Sequence, residues 1–311
     1  MIKNGPILVT GAGGFVCSEI ALALARTGAD VVAVDQHFDT ETTRRFADVR
    51  RIEGGLLQVL DGELGRISAV VHGAAITASP ERLGISRAAH IRRNMDMLTA
   101  TLEGAKEAGA QQFLFLSSMG VFEPSDQPHD GRFTEATQPT ADCTYCAAKH
   151  AGELLTASAA DGGFTTLSLR LGNIFGPHEA IRETRQHLCL VARMIAEARE
   201  THVITVHTPE AQREWSWLPD LANAVVRLMD EGLPRDGLRI WHAGSPPVIG
   251  DLAVARLIAD RMPGTTIRLA ARPHADIRPP MASDVASVFS GVEWTGMTVA
   301  LDQLLRVKVT T

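Results

Sequence analysis

Short runs of β-branched and aliphatic residues alternate with longer, alanine-rich stretches of helical periodicity over the first half of the chain. The strand-like runs are Ile7 to Thr10, Val31 to Asp35, Leu56 to Leu60, Ala69 to His72, Phe113 to Ser117 and Thr166 to Arg170. Between them lie helical stretches near Phe15 to Arg26, Ile91 to Ala108 and Tyr145 to Ala159. This alternation predicts an α/β fold, a doubly wound parallel sheet of Rossmann type with helices on both faces. Right-handed crossovers then place the C-terminal ends of the strands, and any ligand, along one edge. Past residue 176 the rhythm loosens. A helix near Leu188 to Ala198, a strand near His202 to Val206 and helices near Pro219 to Met229 and Leu252 to Arg261 are expected. Proline- and glycine-rich connectors at 244–247 and 278–280 separate them. The expected division is a main domain over 1–175 and a smaller α/β lobe over 176–311, with part of 213–245 returning to the main sheet.

Charge narrows the partners. The 311 residues carry 30 basic and 36 acidic side chains, a formal net charge of −6, and no basic stripe is visible. Nucleic acid and anionic membrane surfaces are therefore not expected partners. No apolar run approaches the roughly 20 residues of a membrane span, and the N-terminus runs straight into a strand without a signal-like segment. Four cysteines are too few for a secreted disulfide scaffold, so the cytoplasm is the expected compartment. The 11 histidines show no metal-ligand spacing, and no metal site is expected.

Two residue types are scarce. Tyr145 is the only tyrosine, and Lys149 is one of four lysines. Four positions apart on a helix, their side chains share one face. Upstream, the first strand runs into Gly11-Ala12-Gly13-Gly14-Phe15-Val16-Cys17 and then into an apolar helix. Glycines belong there because the turn is tight and the backbone must approach a pyrophosphate held at the helix N-terminus. Asp35, about one βαβ unit later at the end of the second strand, would accept hydrogen bonds from an adenosine ribose and repel a 2′-phosphate, favouring NAD over NADP. Cys17 stands where the third small residue of this fingerprint is usually glycine or alanine, which predicts a helix set slightly further from the sheet.

The strand FLFLSSMGVF, ending in Ser117 and Ser118, completes a set that resembles the short-chain dehydrogenase/reductase superfamily, and more closely its extended NAD-dependent epimerase/dehydratase family. Further matches are His72-Gly73-Ala74-Ala75, Asn94, LRLGNIFGP from Leu169 to Pro177, REWSWLPDLA from Arg213 to Ala222, RPHADIR from Arg272 to Arg278, and Asp284. The resemblance implies NAD as cofactor, with Ser118, Tyr145 and Lys149 catalytic. It places NAD against Gly11, Gly13, Gly14, Phe15, Val16, Asp35, Asp61, Ala74, Ala75, Asn94, Tyr145 and Lys149. It places a sugar-type substrate against Ser118, Asn173, Arg213 and Arg278, and it implies a homodimer joined through the helices near 91–108 and 145–159. Physical chemistry supports the core of this set. A free phenol with a pKa near 10 is a poor base at neutral pH, and a neighbouring ammonium lowers that value.

Departures from the family narrow the chemistry. The family's sugar dehydratases carry an acidic pair where this chain has Met119 and Gly120, so dehydration is rejected. Family epimerases often carry serine or threonine at the Gly120 position. The segment between Asp61 and His72 is short, with the usual helix cut to a turn. The stretch His207 to Gln212 lacks the usual glycine-containing turn. Arg213 and Arg278 suit a diphosphate because a planar guanidinium binds two oxygens at once. The same arginines could hold a sugar carboxylate, and Arg213 could instead be a structural partner of Asp220 or Glu214. Cys143 and Cys146 bracket Tyr145 but lack the second pair a zinc site needs. They read as two small residues at a helix start; the alternative is a redox pair, since oxidation there would distort the catalytic helix. His178 is placed at the substrate cleft.

The sequence thus points to an NAD-dependent enzyme that oxidises a secondary alcohol of a sugar, with a nucleotide-sugar epimerase preferred. A dehydrogenase of a free sugar or sugar acid is the alternative. A non-catalytic NAD sensor on the same fold would have no need of Ser118, Tyr145 and Lys149 together.

Overall fold

A computed structural model describes residues 5–60, 65–126, 128, 130–181, 188–271 and 277–306. Asp61 and residues 272–276 of the RPHADIR motif lie outside the described residues. The first half of the chain runs β1 (Ile7–Thr10), α1 (Phe15–Arg26), β2 (Val31–Asp35), α2 (Thr40–Arg45), β3 (Arg50–Glu53), α3 (Leu56–Leu60), β4 (Ala69–His72), α4 (Pro80–Leu83), α5 (Arg87–Glu107), β5 (Gln112–Ser118), α6 (Thr144–Ser158) and β6 (Thr165–Leu171). There follow β7 (Asn173–Phe175), α7 (Leu190–Thr201), β8 (Val203–Val206), β9 (Gln212–Trp217), α8 (Leu218–Glu231), β10 (Ile240–His242), β11 (Val248–Gly250), α9 (Asp251–Ala259), β12 (Thr266–Leu269) and α10 (Met297–Arg306).

Seven strands form one parallel sheet in the order β10-β6-β5-β4-β1-β2-β3. The chain winds outward from β1 to β3, then crosses back to lay β4 on the other side of β1. That reversal is a topological switch point, where parallel sheets open a crevice at their C-terminal edge. Successive strand residues face opposite layers. Ile7 and Val9 pack with α1 and α8, whereas Leu8 packs with α5. Leu114 and Leu116 likewise face one layer, and Phe113 and Phe115 the other. Burial on both faces is why these strands read as unbroken apolar runs. A smaller core around Phe175, Trp215 and Trp217 is covered by α7, α9 and α10 and includes the β7-β9-β11 and β8-β12 sheets. Among the described residues no helix is long and apolar enough to cross a membrane.

One expected strand is corrected. Leu56 to Leu60 is the helix α3, and the third strand is Arg50–Glu53. β3 lies at the sheet edge, paired only with β2, and three of its four residues are exposed. Its charged sequence RRIE therefore carries no buried-strand signal, whereas the apolar pentamer LLQVL packs on α5. Periodicity alone does not separate a short apolar strand from a turn of helix.

Candidate active site

A cleft of about 660 Å³ opens over the switch point, at the C-terminal ends of β1, β2 and β4. Its walls bring together Gly11, Gly14, Phe15 and Val16 of the first turn, Asp35, Ala74, Ala75, Tyr145 and Lys149. The glycines are required by contact. A Cβ on Gly11, which has φ +70°, would lie 2.7 Å from the Ala74 nitrogen, and one on Gly13 would lie 2.3 Å from the His37 carbonyl. Gly14 caps α1 without a side chain, and the first turn of α1 holds no acid. A helix start of this kind suits an anion. The Asp35 carboxylate accepts the Gly13 N–H at 2.8 Å, tying the turn to β2. These features fit a dinucleotide with its pyrophosphate on the turn.

Cys17 fits against Gly73. A Cβ on Gly73 would come within 2.1 Å of the Cys17 sulfur, so the glycine receives the atom that the fingerprint's smaller residue would lack. Burial pushes the Cys17 thiol up to about 12, with the Asp35 charge adding to it. Gly55, Leu56, Leu57 and Gln58, from the start of α3, also line the cleft. Asn94 serves as a tether: its Oδ1 accepts the Ile76 N–H at 2.9 Å and its Nδ2 donates to the His90 carbonyl at 3.1 Å. It thereby holds the loop that carries Ala74 and Ala75.

Tyr145, Lys149 and Glu153 lie at successive i+4 positions on α6, one stripe against β5. Lys149 Nζ donates to the Leu116 carbonyl at 2.6 Å and stands 5.8 Å from the Tyr145 ring centroid. Burial pulls the Lys149 ammonium down to about 8, opposed by Cys17 and Glu153. Ser118 Oγ accepts the Gly120 N–H at 3.0 Å. A Cβ on Gly120 would lie 3.2 Å from that oxygen and 3.9 Å from the Tyr145 ring, so Ser118 and Tyr145 converge on the space beside Gly120. A serine or threonine there would crowd the Ser118 hydroxyl.

Glu153 and its partners carry no motif signal. The carboxylate is fully buried and accepts from Ser117 Oγ at 2.6 Å and from Arg170 Nε and Nη2, both at 2.8 Å. Arg170 also stacks on the Phe122 ring, 4.9 Å from its centroid. The readable clue was an arginine inside the apolar run LSLRL, since a buried charge demands a partner.

Three of the expected substrate residues, Asn173, Arg213 and Arg278, are not among those lining the large cleft. Asn173 donates from its backbone and its side chain to Glu214 Oε1, both at 3.1 Å. Glu214 is itself buried, which raises its carboxyl pKa. Arg213 donates to Asp251 from Nε at 2.8 Å and from Nη2 at 3.1 Å. Its ion-pair partner is thus Asp251, whereas Asp220 accepts from the Thr295 backbone. Arg278 Nη2 lies 3.9 Å from Glu123. His178, at φ +64°, lines a separate cavity of about 180 Å³ and pairs with Glu41 at 3.3 Å. Cys143 and Cys146 correct the reading as two unlinked small residues: they form a disulfide, and α6 begins regularly behind it. A three-residue spacing brings N-cap and third helical residue together, so the bond bridges the first turn without unwinding it.

Known proteins resemble this chain. UDP-glucuronic acid decarboxylase 1 of Arabidopsis thaliana is 25% identical over 272 residues, which cover 85% of this chain and 60% of that protein. UDP-glucose 4-epimerase of Erwinia amylovora is 31% identical over 193 residues, covering 56% of this chain and 55% of that protein. The matches thus span little more than half the length of these curated relatives. The structure of UDP-glucose 4-epimerase from Thermotoga maritima, solved with UDP-glucose, superposes with a TM-score of 0.79 at 19% identity, covering 96% of this chain and 98% of that one. Residues 7–244 match the sequence profile of the NAD dependent epimerase/dehydratase family, and the chain belongs to that family.

Proposed function

We propose that the chain is an NAD-dependent nucleotide-sugar epimerase that oxidises a secondary alcohol of its substrate to a transient ketone. The observation that carries this reading is the Tyr145–Lys149 face of α6, set in the cleft wall across from the Gly11–Val16 turn. Gly11 to Val16 would hold the pyrophosphate, Asp35 the adenosine ribose and Lys149 the nicotinamide ribose. When bound, NAD supplies the hydride acceptor for the carbon bearing the alcohol. Tyr145 removes the hydroxyl proton, the Lys149 ammonium favours the phenolate, and Ser118 hydrogen-bonds the reacting oxygen. Once the ketone turns in the site and the hydride is returned to its other face, Tyr145 would give the proton back to the carbonyl oxygen, completing the alcohol of the opposite configuration. Residues 1–175, with α8 and β10, would hold the cofactor and the remainder the sugar. α5 and α6 would pair with a second copy.

The nucleotide-sugar class is supported by the family and by the UDP-sugar names of the relatives. Arg213 and Arg278 are the residues proposed to meet the diphosphate. One observation favours a second reading, a dehydrogenase of a free sugar or sugar acid: Asp251 engages two of the three guanidinium nitrogens of Arg213. Incubating the protein with NAD and UDP-glucose while following product configuration by NMR and nicotinamide absorbance separates the two. Epimer without net NADH supports the first. Stoichiometric NADH from a free sugar or sugar acid, with no epimer from any nucleotide sugar, supports the second.

A further inference from the structure

The first turn of α6 is closed by sulfur. Cys143, the N-cap, is exposed, whereas Cys146, the third helical residue, is buried, and the two are joined with their Cα atoms 5.1 Å apart. Tyr145 lies inside the ring that this bond closes. The first turn of α6 contains no acid, and the Cys146 N–H points at Cys143 Sγ from 3.1 Å. Next to it, Arg87 Nη2 donates to the Asp142 carbonyl at 3.0 Å, placing a guanidinium beside the N-cap. Helix N-terminus and guanidinium both favour a thiolate here. The other two cysteines are unlinked: Cys17 is buried with its thiol pushed up, and Cys189 lies at the start of α7.

We propose that Cys143–Cys146 is a reversible thiol–disulfide exchange site that takes low-molecular-weight thiols and sets the order of the catalytic turn. A thiolate RS⁻ attacks the exposed Cys143 sulfur, forming RS–S–Cys143 and breaking the bond to Cys146, which leaves as a thiolate at the positive end of α6. A second RS⁻ attacks the sulfur of R, releasing RSSR and the Cys143 thiolate. The disulfide thus takes up two electrons from two thiols, and RSSR reverses the sequence. Oxidation ties the N-cap to the third helical residue and holds Tyr145. Reduction leaves the turn to its hydrogen bonds, the Cys143 Sγ cap included, and helix ends without cross-links fray.

The site itself is tested without substrate. The protein is equilibrated with glutathione/glutathione-disulfide buffers, denatured and titrated for thiols. Two thiols in the oxidised protein and four in the reduced one are expected, with amide hydrogen exchange over residues 143–149 faster after reduction. Cys143→Ser keeps a capping oxygen at the N-cap and should exchange at the reduced rate in every buffer. A pair that never forms, or a disulfide that survives reducing glutathione buffers, overturns the proposal. The catalytic consequence rests on the proposed function: reduction should lower kcat by up to about 100-fold, the cost of a reacting group misplaced by about 1 Å. Cys143→Ser should stay at the lower value. Equal kcat in both redox states overturns that consequence, whereas absence of any turnover, with the thiol and exchange results intact, overturns the proposed function alone.

Discussion

Replacing Glu153 by glutamine removes one charge and leaves the shape of the side chain unchanged. The carboxylate is fully buried and receives three donors, two of them from an Arg170 guanidinium that is itself 2% exposed. Arg170 Nη1 already has no hydrogen-bond partner among the described residues, so a cation would remain in the core with an amide in place of its counter-ion. Breaking one side of a buried pair costs about 3–5 kcal/mol. For a chain of this size that is a fall in melting temperature of roughly 10 °C. Urea unfolding of wild type, Glu153→Gln, Arg170→Met and the double variant, followed by tryptophan fluorescence, reads the effect. Each single variant should lose several kcal/mol, and the double variant should lose much less than their sum, because it removes both charges. Glu153 also helps to hold up the Lys149 ammonium, whose value is about 8. An alkaline fall in kcat/KM should therefore begin at lower pH in Glu153→Gln. A loss below about 1 kcal/mol, or an additive double variant, would refute the reading of Glu153 as the buried anchor of α6.

Three further outcomes are expected. Gly73→Ala places a Cβ 2.1 Å from Cys17 Sγ and should destabilise by about 1–3 kcal/mol; adding Cys17→Ala should restore more than half, as read by thermal melts. Burial holds His72 at about 3 and His242 at about 4, both below the ordinary 6.5. As pH falls through 6.5 the unfolded chain binds protons that the folded chain refuses. The stability from these neutral rings is complete above 6.5 and lost toward pH 4, at up to about 2.7 kcal/mol per pH unit for two groups. His72→Asn should roughly halve that slope. Asp35→Ser should shift the ratio of kcat/KM for NAD over NADP toward NADP by about tenfold, the equivalent of roughly 1.4 kcal/mol.

The parallel sheet was legible because strands buried on both faces must be largely apolar, as in Ile7 to Val9 of β1 and Ala69 to Val71 of β4. The glycine turn was legible because its geometry admits no Cβ, and the Tyr145–Lys149 pair because the helix period puts both on one face. β3 escaped because an exposed edge strand need not be apolar, and the pentamer after it looked like what β3 was not. Glu153 escaped because its partners lie on β5 and β6, distant in sequence. The pairing of Arg213 with Asp251 escaped for the same reason: it joins β9 to the start of α9, and nothing local marks it. The Cys143–Cys146 bond was visible as a spacing, but spacing alone does not say whether two cysteines are linked.

The central claim is that Tyr145 transfers the proton of the reacting alcohol on a site that binds NAD independently of it. Tyr145→Phe removes one oxygen atom from the chain's only tyrosine. Turnover of the best nucleotide-sugar substrate and NAD binding by calorimetry are measured on the same preparation, beside wild type. Turnover should fall by about 10²–10⁴-fold with the NAD dissociation constant changed little. Turnover within a few-fold of wild type would contradict the account, and so would loss of NAD binding with the fold intact.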